Sequence, residues 1–228
     1  MKIAVITFPG SNCDQDAVMA AKKISNKVLN IWHKQTSLDN DLDLIIIPGG
    51  FSYGDYLRSG AMASISPVMQ EVKRLADRGN KIIGICNGFQ ILTESKLLDG
   101  CLIRNKSGKF ICQSTKLLVA NNQSAFTSGY KQNQIINIPI AHADGNFFAS
   151  DDVIKKLQDD NLIAFRYVDD YGVASAEANP NGSIFNIAGI FNSNKNVLGL
   201  MPHPERAIDN HLGSSDGSAL FSALQLAC

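Results

Sequence analysis

The sequence predicts an α/β fold: a mostly parallel open sheet with helices on both faces and an added antiparallel portion. Three observations predict it. Apolar, β-branched runs alternate with segments of helical spacing through the first half of the chain, the pattern of right-handed βαβ crossovers. Some of those runs are apolar at consecutive positions, as strands buried on both faces must be. In the second half, strand-like runs follow one another through polar Asn-, Ser- and Gln-rich connections, which suits antiparallel pairing.

Residues 2–7 (KIAVIT) form the first expected strand, and Val18, Ala21 and Ile24 recur at helical spacing within 14–24. Residues 28–32 are a second strand, and 42–47 (LDLIII) a third, apolar on both faces. A helix opens at Ser66-Pro67, with Ser as N-cap and Pro at the first helical position. Val68, Met69, Val72, Leu75 and Ala76 make one apolar stripe, and Gly79 stands where a C-cap belongs. Residues 81–85 (KIIGI) are the next buried strand and 87–95 the next helix. Strands follow over 110–119, 135–141 and 162–168. A helix starts at Ser150, with Asp151 and Asp152 in its positive first turn and Val153, Ile154 and Leu157 facing inward. Residues 187–191 and 197–201, joined by NSNKN, read as an antiparallel hairpin, and 217–226 as a closing helix. With no internal repeat, low-complexity stretch or linker, residues 1–228 are expected to form one domain.

Composition narrows the function classes. A chain of 228 residues buries about 70% or more of its unfolded surface, enough for a core without disulfides or metals. The 21 basic and 21 acidic residues cancel, and no Lys/Arg stripe appears, which argues against a nucleic-acid partner. Nothing approaches the roughly 20 uninterrupted apolar residues of a membrane span, and the amino terminus lacks the apolar core of a signal peptide. Cys13, Cys86, Cys101, Cys112 and Cys228 are odd in number, scattered and without a CxxC pair. With only four histidines beside them, no metal site is expected. A reducing, cytoplasmic setting fits these free thiols, which become candidates for chemistry.

The sharpest local signal is Gly84-Ile85-Cys86-Asn87-Gly88, between a buried strand and a helix. This is the setting of a nucleophile elbow. A turn this tight strains the nucleophile's backbone, and glycines two positions to either side allow close approach. The following helix aims free N–H groups and its positive end at the sulfur, favouring thiolate. The N–H of Asn87 would form half of an oxyanion hole. The competing reading of Cys86 is a small core residue at a strand end.

A cysteine nucleophile needs a histidine, and the histidine an orienting acceptor. Met201-Pro202-His203-Pro204-Glu205 offers both at the end of an expected strand. Positions i and i+2 of an extended segment point the same way, and Pro204 biases His203 toward extended backbone, so Glu205 is expected beside the His203 ring. The competing reading is a proline-rich loop with solvated His and Glu. His142, in IAHADGNF, is the weaker candidate for the base; His33 and His211 lack such a setting. The strand ending in Pro48-Gly49-Gly50 lets bare backbone N–H groups approach a ligand at the carboxyl edge of the sheet, so the second oxyanion donor is assigned to Gly49-Gly50. No G-x-x-x-x-G-K-[ST] loop occurs, which argues against ATP hydrolysis by this chain.

Taken in order, PGG, G-I-C-N-G-F-Q and H-P-E resemble the class I (triad-type) glutamine amidotransferases over nearly the whole chain. Within that family, FPGSNCDQDA (8–17), GGFSYGDYLRSGAMA (49–63), GICNGFQILTE (84–94) and MPHPERA (201–207) resemble the glutaminase subunits of phosphoribosylformylglycinamidine synthases. The resemblance implies a flavodoxin-like sheet, with Cys86 as nucleophile, His203 as general base and acid, Glu205 orienting it, and Gln90 holding glutamine. It implies no cofactor in this chain. It further implies a synthetase partner that binds ATP, Mg and formylglycinamide ribonucleotide, with a small accessory subunit. Ala143 departs from the pattern, standing where relatives usually carry Gly; Asn87, where many amidotransferases carry Leu, is usual in this branch. Three other readings stay open on the residues alone. They are an amidotransferase of another pathway, a flavodoxin-like regulatory module, and an α/β-hydrolase, whose acid however usually precedes its histidine.

Overall fold

A computed structural model describes residues 1–227. Eleven strands and six α-helices were located among them: β1 Lys2–Thr7, α1 Asp14–Lys22, β2 Lys27–Trp32, β3 Leu44–Ile47, α2 Ala61–Ser64, α3 Pro67–Asp77, β4 Lys81–Ile85, α4 Asn87–Glu94, β5 Cys101–Ile103, β6 Ile111–Val119, β7 Ile135–His142, β8 Asn146–Phe148, α5 Asp151–Asp159, β9 Ile163–Val168, β10 Ile187–Phe191, β11 Val197–Leu200 and α6 Ser218–Leu226. Nine of the strands form one sheet in the order β2-β1-β3-β4-β11-β10-β9-β6-β7, and β5 pairs with β8 separately. The five strands from β2 to β11 run parallel, and from β11 outward every pairing is antiparallel. Parallel α/β and antiparallel portions therefore share one continuous sheet.

Burial follows the apolar pattern. Every residue of β3 is buried, as is each residue of the α3 stripe, Val68, Met69, Val72, Leu75 and Ala76. Helix α3 ends as its glycine requires. Gly79 takes φ +90°, its N–H bonds the Ala76 carbonyl, and Asn80 N–H bonds the Leu75 carbonyl, a complete Schellman closure. Its start differs from expectation: Ser66 has N-cap backbone geometry but makes no side-chain cap. The His33 carbonyl takes the Val68 N–H instead, and the Ser66 hydroxyl pairs with Tyr53 Oη at 3.1 Å. Most boundaries lie within two residues of the expected ones. Helix α2 and the β5/β8 pair were not expected; runs of three or four residues are too short to carry a period.

The carboxyl ends of β1, β3, β4 and β11 meet at one edge of the sheet, because neighbouring parallel strands share a direction. The segments leaving those ends hold Cys13, Gly49-Gly50, Cys86 and His203-Glu205. Helix α4 packs against this edge where two glycines meet, Gly84 of β4 and Gly88 of the helix itself. A Cβ on Gly88 would lie 2.0 Å from the Ile47 carbonyl oxygen, and one on Gly84 would lie 2.6 Å from the Gly88 oxygen. Both contacts are to backbone, which cannot rotate away. Gly88→Ala should therefore lower unfolding stability by at least about 2 kcal/mol. A denaturant midpoint matching wild type would show that the helix can move without cost.

Candidate active site

Cys86 sits between β4 and α4 with φ 52° and ψ −106°, a conformation sparsely populated by residues with a Cβ. The strain points the side chain out of the sheet edge while Cys86 N–H still bonds the Leu200 carbonyl at 2.8 Å. The thiol is buried, its Sγ 3.7 Å from the Ala141 carbonyl oxygen. As first residue of α4, Asn87 presents a backbone N–H that the helix itself cannot use.

The His203 ring reaches the same place from β11. Its backbone N–H bonds the Pro139 carbonyl at 2.8 Å, tying the segment to β7. Nδ1 lies 2.6 Å from Glu205 Oε1 with both side chains almost fully buried. The route to this contact corrects the extended-segment argument: His203 has ψ 83°, and Pro204–Arg206 is a single 3₁₀ turn. The tight turn, rather than strand alternation, folds Glu205 back onto the ring. With Nδ1–H donated to Glu205, the neutral ring offers a lone pair at Nε2, which has no hydrogen-bond partner among the described residues. Burial opposes charge on His203, but the Glu205 carboxylate and the neighbouring Cys86 outweigh it and raise the imidazolium pKa to about 10.

Gly49 lets these groups meet. A Cβ there would stand 2.8 Å from His203 Cε1 and 3.4 Å from Cys86 Cβ, so the thiol-bearing residue and the imidazole flank a residue with no side chain. Gly50, at φ 137°, backs onto Asn12, whose backbone N would be 2.7 Å from an added Cβ. Asn87 and Gln90 brace the wall of the cleft. Asn87 Oδ1 accepts from Ser52 N–H, Asn87 Nδ2 donates to Gln90 Oε1 at 2.8 Å, and Gln90 Nε2 donates to the Asp144 carbonyl at 2.7 Å. All seven residues singled out for the site (Gly49, Gly50, Cys86, Asn87, Gln90, His203 and Glu205) thus gather at one edge of the sheet.

Two groups here escaped the sequence reading. Cys13 is buried beside the triad, with Arg206 Nη2 3.2 Å from its sulfur and Arg206 Nε on Asp16 at 3.0 Å. Burial pushes the Cys13 thiol up to about 12 despite the guanidinium, so it is a protonated neighbour and not a second nucleophile. The other group is Asp55, Ser59, His142 and Asp144, which line the cleft alongside Cys86 and Gln90. Of these only His142 had stood out, as a possible base. Its ring is bonded to Asn105 instead, and Asn105 carries no motif that would single it out.

A thiol in a strained elbow beside a buried His–Glu pair defines a cysteine acyl-transfer site. The model of the CobB/CobQ-like glutamine amidotransferase domain matches residues 1–218, and the chain belongs to that family. Among curated relatives, the phosphoribosylformylglycinamidine synthase subunit PurQ of Novosphingobium aromaticivorans is 52% identical over 222 residues, covering 97% of this chain and 95% of that protein. PurQ of Chlorobium luteolum is 52% identical over 223 residues, covering 97% and 96%. A chain in the structure of PurLQS from Thermotoga maritima superposes with a TM-score of 0.87 at 42% identity, covering 99% of this chain and 98% of that one. Among the described residues no helix is long and apolar enough to cross a membrane.

Proposed function

We infer that this chain is the glutaminase subunit of a phosphoribosylformylglycinamidine synthase, releasing ammonia from glutamine for a PurL-type synthetase partner. The observation that carries the chemistry is Cys86, held in a strained elbow and facing the His203–Glu205 pair across Gly49. The near-full-length relatives carry the pathway.

The steps follow from these positions. His203 Nε2 takes the Cys86 proton, and the thiolate attacks the carboxamide carbon of glutamine. The N–H of Asn87 and one from Gly49-Gly50 stabilise the oxyanion, about 3 kcal/mol per donor. Imidazolium His203, its charge balanced by Glu205, protonates the departing nitrogen. Ammonia leaves and a γ-glutamyl thioester remains on Cys86. Water, deprotonated by the same Nε2, attacks the thioester; glutamate departs and the thiol is restored. Asn87 and Gln90 hold the cleft wall to which glutamine binds. In the assembled enzyme, working in the cytoplasm, this one domain supplies ammonia. The synthetase, with a small accessory subunit, consumes it with ATP and Mg, converting formylglycinamide ribonucleotide to formylglycinamidine ribonucleotide.

The test is isotopic. The chain is copurified with its synthetase and given amide-¹⁵N glutamine, ATP and formylglycinamide ribonucleotide, and the label is expected in the amidine nitrogen of the product. Label released as ammonia with none in that product would assign the ammonia to another acceptor.

A further inference from the structure

Cys13 takes no part in the mechanism, yet its sulfur is buried against the pair that does. One candidate ligand atom from each of Cys13, His203 and Glu205 lies within 4.8 Å of the other two, and all three residues are buried. They come from opposite ends of the chain, so no spacing in the sequence announces the cluster. Gly49 makes the room. A Cβ there would lie 3.3 Å from Cys13 Sγ and 2.8 Å from His203 Cε1, so sulfur and imidazole border the same gap. His203 Nε2 and Glu205 Oε2 have no hydrogen-bond partner among the described residues, although these residues are only 1% and 2% exposed. Buried polar atoms left open in this way require a reason. The proton transfers assigned to His203 account for Nε2, but for neither Oε2 nor the sulfur beside it.

The mixture of donors decides what fits. Thiol, imidazole and carboxylate together suit a borderline-soft cation such as Zn²⁺, which takes S, N and O donors in a tetrahedron. Mg²⁺ and Ca²⁺ need a shell of oxygens and find one carboxylate. Neighbouring donors of a zinc tetrahedron stand roughly 3.4–3.6 Å apart, a spacing that side-chain rotation supplies from the separations here. Burial holds Cys13 as the thiol, but a coordinating cation deprotonates a thiol outright, and the proton leaves to water. Thiolate and carboxylate then balance the two charges of the metal. Arg206, with Nη2 3.2 Å from the sulfur, is 39% exposed and tethered to Asp16, so it has solvent to turn into as the metal enters. A cavity of about 220 Å³ bordered by Cys13, His203 and Arg206 provides the entry.

We propose that Cys13, His203 and Glu205 form an inhibitory Zn²⁺ site that silences the glutaminase reversibly. Inhibition follows whichever ring nitrogen binds. Metal on Nε2 takes the lone pair that the reaction needs, and metal on Nδ1 breaks the bond to Glu205 that fixes the tautomer. This rests on the glutaminase reading above and adds a means of controlling it. Cys13 is then a metal ligand and not a catalytic residue.

The test uses the chain assembled with its synthetase, with Mg²⁺ in excess and Zn²⁺ supplied from a buffer. Zn²⁺ should cut glutamine-dependent product formation at least about tenfold while changing ammonium-dependent formation by less than about twofold, and a chelator should restore the loss. Equal loss with both nitrogen donors would place the metal in the synthetase and overturn the site. Cys13→Ser should turn over glutamine like wild type without zinc, and need at least about tenfold more Zn²⁺ for the same inhibition. Unchanged sensitivity would leave the metal on Cys86 and sink the proposal. Co²⁺ gives a reading that needs no activity and, through Cys86→Ala, no Cys13 variant. One equivalent should produce a thiolate-to-cobalt charge-transfer absorption that survives Cys86→Ala and disappears in Cys13→Ser; its loss in Cys86→Ala would also overturn the site. If the wild-type complex frees no ammonia from glutamine, the glutaminase reading falls, while the cobalt absorption still decides whether Cys13 binds metal.

Discussion

In the assembled complex, Cys86→Ala is expected to lower glutamine-dependent product formation at least about a thousandfold, with ammonium-dependent formation changed by less than about twofold. The asymmetry arises because the substitution removes only Sγ. Alanine keeps the Cβ at φ 52°, so the elbow, α4 and the two glycines packed beneath it remain as they were. The neighbouring buried thiol does not substitute. Cys13 lies near, but burial pushes its thiol up to about 12, leaving almost no thiolate at neutral pH. The measurement is a paired assay with glutamine or ammonium as nitrogen donor. Equal loss with both donors would mean that Cys86 supports assembly, not chemistry.

His203→Ala should lower glutamine-dependent turnover by about a hundredfold or more, and it carries a second cost that Cys86→Ala does not. The substitution strands the buried Glu205 carboxylate, whose Oε2 already lacks a hydrogen-bond partner among the described residues. Breaking a buried pair in this way costs about 3–5 kcal/mol. Glu205→Gln should be milder, because the amide oxygen can still accept from Nδ1. The pH dependence has a definite sign. A folded-state pKa of about 10, above the ordinary 6.5, means that the folded protein binds the extra proton between those values. The stabilisation is complete below pH 6.5 and drains away as pH rises through about 10. Denaturant midpoints between pH 7 and 10 should fall for wild type and stay flatter for His203→Ala; parallel slopes would place the proton elsewhere.

Much of this was legible in the residues because each signal has a local physical cause. The apolar run in β3 and the stripe of α3 report burial directly, and Gly84 and Gly88 announce a close approach that the structure confirms at the Ile47 backbone. The His203–Glu205 contact was foreseen for a partly mistaken reason, since a 3₁₀ turn and not an extended strand brings the pair together. What stayed hidden depends on partners distant in sequence. Ser66 lost its capping role to a carbonyl from His33. The state of His142 is set by Asn105, and the position of Asp55 by three left-handed residues in a row. No periodicity records such arrangements.

The pairing of β4 with β11 has a consequence for the newly made chain. Ile85 lies opposite Leu200, so the thiol just beyond the one strand and the imidazole just beyond the other are neighbours only because these two strands pair in register. Strand β11 is the last in the chain order of the described residues. A ribosome adding about 5–20 residues per second exposes Cys86 several seconds before His203 and Glu205. The thiol is thus made before the imidazole it faces, and the two meet only when β11 takes its place between β4 and β10.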